Sequence, residues 1–234
     1  MKGLGTILNI VTVLIGGSLG LLIGNRLQKN IHEAVISVTG FISLVMGMQM
    51  ALQTKNILIV LISLMIGIVI GELVDIDGKL VRLSEMVEKK FSKGEKGNFA
   101  RAFLTSSIVF CVGPLTIIGS LKDGLSGDYS LLSFKAILDG FTAIAFAAAL
   151  GTGVLFTSFT ILIVQGGLTV FASFFSGFLT EAAIAELSGV GGVMILSIGL
   201  NILGVKKFKT ANMLPALCIA PILVIISKNI LGFV

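Results

Sequence analysis

Tryptophan is absent from this sequence and tyrosine occurs once, at Tyr129. The belt of Trp and Tyr that commonly marks both membrane interfaces is therefore thin, and the 16 phenylalanines carry the aromatic content. The single histidine, His32, cannot build a metal site alone. It also allows no HExxH pair, which needs two histidines on one helix face. Two cysteines, Cys111 and Cys218, lie in apolar runs. They make neither a disulfide framework nor a CxxC motif, and they read as small buried hydrophobes. A glycine-rich phosphate-binding loop of the Walker type is missing, which argues against ATP drive within the chain. No cofactor and no metal is expected, and the chain does not read as an enzyme.

Charge is scarce as well. Only 12% of residues are Asp, Glu, Lys or Arg, about half the fraction of an ordinary soluble domain. Mean hydropathy is +1.07 and the net charge is +5. In a soluble protein that excess would suggest nucleic acid. Here the basic residues fall between apolar runs, where they set orientation in a membrane instead, so no nucleic-acid partner is expected. Alternating ten-residue segments of the kind that build β-barrels do not occur. The fold class predicted is all-α: a polytopic membrane protein of one domain over 1–234, with about eight transmembrane helices in a lipid bilayer.

Eight runs approach the roughly 20 residues a spanning helix needs. They are 4–24, 34–52, 56–74, 101–121, 131–150, 155–178, 189–205 and 211–231. The N-terminal run carries Lys2 but shows no small-residue cleavage site, and it reads as a retained helix rather than a signal peptide. The fifth and sixth runs are parted only by Gly151-Thr152-Gly153, so whether that break separates two full spans is open. Between the third and fourth lies a charged connector, 75–100. In it Asp77 can cap a helix, and Leu80, Leu83, Val87 and Phe91 share one face. This reads as an amphipathic helix on the membrane surface, or else as a solvated link.

A repeat is also visible. In the second run Gly40 is followed by Gly47 and Gln49. In the seventh, Gly192 is followed by Gly199 and Asn201 at the same spacing. Segments 1–3 (4–74) then correspond to segments 6–8 (155–231). Five spans precede the second copy, which inverts it in the membrane, a plan recurrent in secondary transporters. The two central helices, 101–150, lie between the copies.

Those central helices hold the sharpest candidates for chemistry. Gly113-Pro114 breaks the fourth helix, because proline removes an N–H and clashes with the preceding turn. Thr116 and Ser120 follow, so freed carbonyls and hydroxyls could bind an ion, or a kink could simply be satisfied by neighbouring helices. Asp139 is either an ionisable group deep in the fifth helix, where it needs a partner or a wet cavity, or the N-cap of a helix that starts there. Lys135 lies one turn before it. Asp123 reads as a turn residue. Asn9, Gln49, Gln165 and Asn201 are polar residues inside spans, and interhelical hydrogen bonds explain most such residues. Gln49 and Asn201 occupy matching repeat positions and could line one site. Gly16, Gly20 and Gly24 form a packing stripe, within a subunit or in a homo-oligomer. Glu181 and Glu186 read as helix-terminal.

The run GPLTIIGSLKDGLSGD, then KAILDG and an Ala-rich helix ending LGTGV, resembles a bacterial integral-membrane family, domain of unknown function 554. GTILNIVTVLIGGSLGLLIG and MGMQMAL extend the resemblance over essentially the whole chain. It implies a small inner-membrane protein, with a transport role as the expectation and no family catalytic residues to carry over. The reading from the residues is a secondary transporter or channel for a small solute or ion. Its rival is a non-transporting scaffold or accessory subunit whose partner reads the basic connector.

Orientation follows from the basic residues. With both termini outside, the inward loops hold Arg26 and Lys29, the seven Lys and Arg of 79–101, and Lys206, Lys207 and Lys209, which is twelve of the 17. The positive-inside rule favours this arrangement in the bacterial cytoplasmic membrane. A phosphatase reporter fused after Val234 should therefore be active and a green-fluorescent reporter at the same point dark. The reverse pair of signals would place that end in the cytoplasm.

Overall fold

The structure, a computed structural model, describes residues 2–24, 28–79, 82, 98–175 and 179–231. Helices make up most of them, and no strand occurs among the described residues. They are α1 (Leu4–Gly24), α2 (Lys29–Ala51), α3 (Ile57–Val74), α4 (Asn98–Cys111), α5 (Pro114–Ser126) and α6 (Ser130–Leu150). There follow α7 (Gly153–Val170), α8 (Ala172–Phe175), α9 (Glu181–Ile202), a 3₁₀ turn at Thr210–Met213 and α10 (Pro215–Leu231). Within α7 the residues Leu162–Gly166 form a π turn.

Local chemistry sets the ends. Asn56 caps α3, its side chain accepting from the Leu58 N–H at 3.1 Å. Thr180 does the same for α9 through the Ala183 N–H at 3.3 Å. Gly113, extended at φ −80° and ψ 152°, precedes Pro114 at the first turn of α5, where a proline loses no helical hydrogen bond. Gly151, at φ +95°, turns the chain between α6 and α7 in a conformation that L side chains rarely adopt. That short break does separate two spanning helices.

Among the described residues seven helices are long and apolar enough to cross a membrane, and the pair α4–α5, bent by 59°, makes an eighth span if it counts as one. Packing register decides that it does. Ser106 meets Thr157 at 2.5 Å and Ser107 meets Thr160 at 3.0 Å, so α4 runs parallel to α7. Further along, Gly124 of α5 packs on the Thr169 carbonyl of the same α7. Both halves thus advance in one direction. A re-entrant loop would turn back.

The remaining contacts have the same regularity. Gly16, Gly20 and Gly24 of α1 lie against Gly140, Ile144 and Ala148 of α6, rising together, so these two helices are parallel. Gly47 faces Gly192 and Gly40 faces the end of α9 at Leu203, while Gly199 meets the Gly40 carbonyl. Helices α2 and α9 are therefore antiparallel. Gly67 and Gly71 of α3 lie on Ala216 and Asn212 in the same antiparallel sense. Eight alternating passes satisfy every one of these directions. The outward faces are apolar, with Leu58, Leu61, Met65, Val69 and Leu73 exposed along α3, as a helix facing lipid requires.

Four expectations change. The fourth span begins at Asn98 and extends to Ser126, and the seventh begins at Glu181. In the connector the capping carboxylate belongs to Asp75, not Asp77. Asp75 accepts from the Gly78 N–H at 3.2 Å and pairs with Arg82 at 3.1 Å, whereas the Asp77 N–H donates to Asn212 Oδ1 at 2.8 Å. The amphipathic run 80–91 lies, apart from Arg82, outside the described residues. Cys218 is exposed rather than buried.

A Cβ at Gly16 would overlap the Gly140 carbonyl oxygen, whereas one at Gly113 meets nothing within 4 Å. Gly16→Ala should lower stability by about 1–3 kcal/mol through forced separation of α1 and α6. Gly113→Ala should stay within about 0.5 kcal/mol of the parent. Unfolding in detergent micelles reads both.

Candidate functional site

Helix α6 starts at Ser130, nine residues before Asp139. Asp139 is therefore mid-span and only 8% exposed, and Lys135 is 5% exposed. It does not cap a helix start. An ionised Asp or Lys at mid-span costs about 2.5–3.5 kcal/mol on insertion scales, so each needs an internal partner. They supply it to each other. Lys135 Nζ donates to Asp139 Oδ2, one helical turn away.

Two neighbouring helices close over the pair. From α1, Asn9 Nδ2 donates to Asp139 Oδ2 at 2.9 Å and to Gln165 Oε1 at 2.9 Å. From the π turn of α7, Gln165 Nε2 donates to Thr6 Oγ1 at 3.3 Å. Asn9 and Gln165 are fully buried. A π turn adds one residue to the helical ring and often marks a functional site. Both N–H bonds of Asn9 are used, yet its Oδ1 is buried and meets no donor. An orphaned buried acceptor costs about 1–3 kcal/mol.

The other sequence candidates do not join this cluster. Thr116 and Ser120 are buried beside the break. Thr116 Oγ1 donates to the Phe110 carbonyl at 3.0 Å, restoring one acceptor that the proline break leaves free, and Ser120 Oγ has no partner. Residues flanking Gly113 line a cavity of about 800 Å³ between α4, α5, α7, α9 and α10. Its walls are apolar, including Phe103, Ile117, Leu168, Phe171 and Leu217, with Ser107 and Thr160 as polar exceptions. Asp139 is not among its lining residues. The break and Asp139 are thus two places, not one.

Gln49 and Asn201 share no site either. Gln49 is exposed on α2. Asn201 closes the loop after α9, accepting from the Phe208 N–H at 2.7 Å and donating to the Phe208 carbonyl at 2.9 Å. The antiparallel packing of α2 on α9 explains the separation. Equivalent positions near the C-terminal ends of two antiparallel helices lie at opposite ends of the pair.

Asp123 and Glu186 correct the sequence reading in a shared way. Each is buried and caps a helix remote in sequence. Asp123 accepts from the Gly3 N–H at 3.0 Å and the Gly5 N–H at 3.3 Å at the start of α1. It is a helical residue of α5 and not a turn residue. Glu186 accepts from Thr54 Oγ1 at 2.5 Å and from the Lys55 and Asn56 N–H groups at 2.8 and 2.9 Å, at the start of α3. In the loop before α6, outside the membrane, the Ser130 hydroxyl and amide hold the Asp128 carboxyl below its ordinary range. Gly16-Gly17-Ser18-Leu19-Gly20 spells GxSxG, but Ser18 lies exposed within α1 and not on the strand-to-helix turn that makes such a serine nucleophilic.

Eight apolar passes enclosing an ion pair define a polytopic α-helical membrane protein. Its sequence matches, over residues 4–225, the family described as a protein of unknown function, DUF554, and the chain belongs to that family. It is 32% identical over 226 residues to the uncharacterized membrane protein YdfK of Bacillus subtilis, covering 95% of this chain and 96% of that one. It is also 32% identical over 221 residues to the uncharacterized protein YqgA of Escherichia coli, covering 93% and 94%. No solved structure matches the chain.

Replacing Glu186 by Leu should cost about 3 kcal/mol, because it strands donors at the head of α3. Glu181→Ala, on the exposed first turn of α9, should change stability by less than about 0.5 kcal/mol. Equal losses for the two would deny Glu186 its capping role.

Proposed function

We propose that this protein is a small secondary transporter or channel of the bacterial cytoplasmic membrane, moving a small solute or ion past a mid-membrane site centred on Asp139. The observation that carries the reading is the Lys135–Asp139 pair, buried at mid-span and enclosed by Asn9 and Gln165. Ionisable groups at such depth are expensive and mark ion or substrate pathways more often than they serve packing. The inverted repeat belongs to the same proposal. Its support is that α2 and α9, and likewise α3 and α10, pack antiparallel through small residues, as two inverted copies would. The glycine stripe Gly16, Gly20 and Gly24 is occupied by α6, so a homo-oligomer would have to use another face.

One observation favours the rival, a non-transporting scaffold. The cavity beside the break is apolar and is not lined by Asp139, and Asp139 already has its counter-ion. Transport then requires a second conformation in which the α1, α6 and α7 contacts part at Asn9. Reconstitution of the full chain in proteoliposomes separates the two readings, with influx of a panel of alkali ions and small solutes measured against protein-free vesicles. A protein-dependent flux that falls at least tenfold in Asp139→Asn is the expected result. A flux that Asp139→Asn leaves unchanged takes Asp139 out of the pathway, and no flux across the panel speaks for the scaffold.

A further inference from the structure

The cluster around Asp139 has a feature that a purely structural ion pair does not need, the orphaned Asn9 Oδ1. The side-chain amide cannot be turned over in the present state. Its Nδ2 faces two acceptors, Asp139 Oδ2 and Gln165 Oε1, each at 2.9 Å. Turning it would set an amide oxygen against a carboxylate oxygen. The donors of Asn9 and the ammonium of Lys135 together fill a space otherwise bounded by oxygens: Asp139 Oδ2, Gln165 Oε1 and, one hydrogen bond further, Thr6 Oγ1.

We propose that this space is a binding site for a small monovalent cation, and that the Lys135 ammonium is a tethered stand-in for that ion. Bound, the ion displaces Lys135 Nζ from Asp139, and the flexible Lys135 stem carries the ammonium out towards the aqueous end of α6, so that one positive charge again faces the one carboxylate. Asn9 rotates its amide by half a turn, and the orphaned Oδ1 becomes a ligand beside Asp139 and Gln165. The inference rests on the transport reading and names its substrate class.

Three features of the cluster select that class. The donors are carboxylate, amide and hydroxyl oxygens, which suit hard cations. Asp139 is the one carboxylate in the cluster, so a single positive charge is neutralised, while a divalent ion would keep an excess charge in a medium of low dielectric. The group the site already holds is itself a monovalent cation. Of the other charged or titratable side chains nearby, Asp123 on α5 is engaged by the Gly3 and Gly5 amides. Cys111 on α4 is a buried thiol.

The test uses the full chain purified in detergent, at one fixed pH, with NaCl, LiCl, KCl or choline chloride at equal ionic strength. The readout is the thermal midpoint against salt concentration for wild type, Lys135→Gln and Lys135→Arg. Lys135→Gln removes the tethered competitor. It should gain a saturable rise of several degrees in at least one alkali chloride over choline, with half-saturation at least tenfold below that of wild type. Lys135→Arg keeps a planar, permanently charged group that can engage the carboxylate in a two-pronged pair, and it should show no alkali-specific rise. Asn9→Leu in the Lys135→Gln background should weaken binding at least tenfold. If Lys135→Gln does not fold, wild type against Lys135→Arg decides, with a saturable rise expected only in wild type. No alkali-specific rise in wild type or Lys135→Gln overturns the inference, as does an equal rise in Lys135→Arg. Loss of flux in Asp139→Asn without any cation effect would overturn this site and leave the transport reading standing. A cation effect beside a flux indifferent to Asp139→Asn would do the reverse.

Discussion

Within a bilayer no water reaches a polar group, and every N–H, C=O and charge must find its partner inside the protein. Most of this structure follows from that constraint. Asp123 and Glu186 satisfy the N-terminal amides of α1 and α3 from other helices. Thr116 takes up the Phe110 carbonyl where Pro114 interrupts the span, and Asn201 ties off the loop behind α9. Lys135 and Asp139 neutralise each other. Asn9 Oδ1, left without a donor in the same cluster, is informative because so many of its neighbours obey the rule.

Close helix contact makes these remote partnerships reachable. Lipid offers no hydrophobic drive for association, so small residues that let backbones approach supply packing instead. On α1 the stripe Gly16, Gly20 and Gly24 brings its backbone against α6, and this contact holds Asn9 within hydrogen-bond reach of Asp139. On α2 and α9 paired glycines do the same in the antiparallel sense. The glycines are thus part of the site's geometry, although none of them touches the ion pair.

The fold was largely legible in the sequence because length and apolarity decide spanning helices almost alone. The break at Pro114 was legible because proline lacks a donor, whereas the Gly151-Thr152-Gly153 join left two spans open until the structure showed Gly151 at φ +95°. The site was half legible. Asp139 and Lys135 stand out as charges in an apolar run, and a spacing of four puts them on one helix face. Asn9 and Gln165 lie 130 and 26 residues from Asp139, and nothing local in the chain says which buried amides will meet it. Gln165 also lies in the π turn, where the regular 3.6-residue helical period no longer predicts which way a side chain faces. Asp123 was misread because an Asp-Gly pair is a turn signal, and only tertiary packing shows the head of α1 above it. Gln49 and Asn201 looked paired because repeat positions match. The antiparallel packing of α2 on α9 carries matched positions to opposite ends of the helix pair.

The role proposed for the buried pair is functional and not structural. Replacing both members by apolar residues of similar size tests it, since such a swap of a buried ion pair is often neutral or stabilising by about 1–4 kcal/mol, whereas removing one member alone costs about 3–5 kcal/mol. The decisive measurement is the unfolding free energy of the double variant Lys135→Met/Asp139→Leu in detergent, compared with wild type. The account predicts a double variant at least as stable as wild type. A loss of about 3 kcal/mol or more would contradict it and make the pair a structural fastening of α1, α6 and α7.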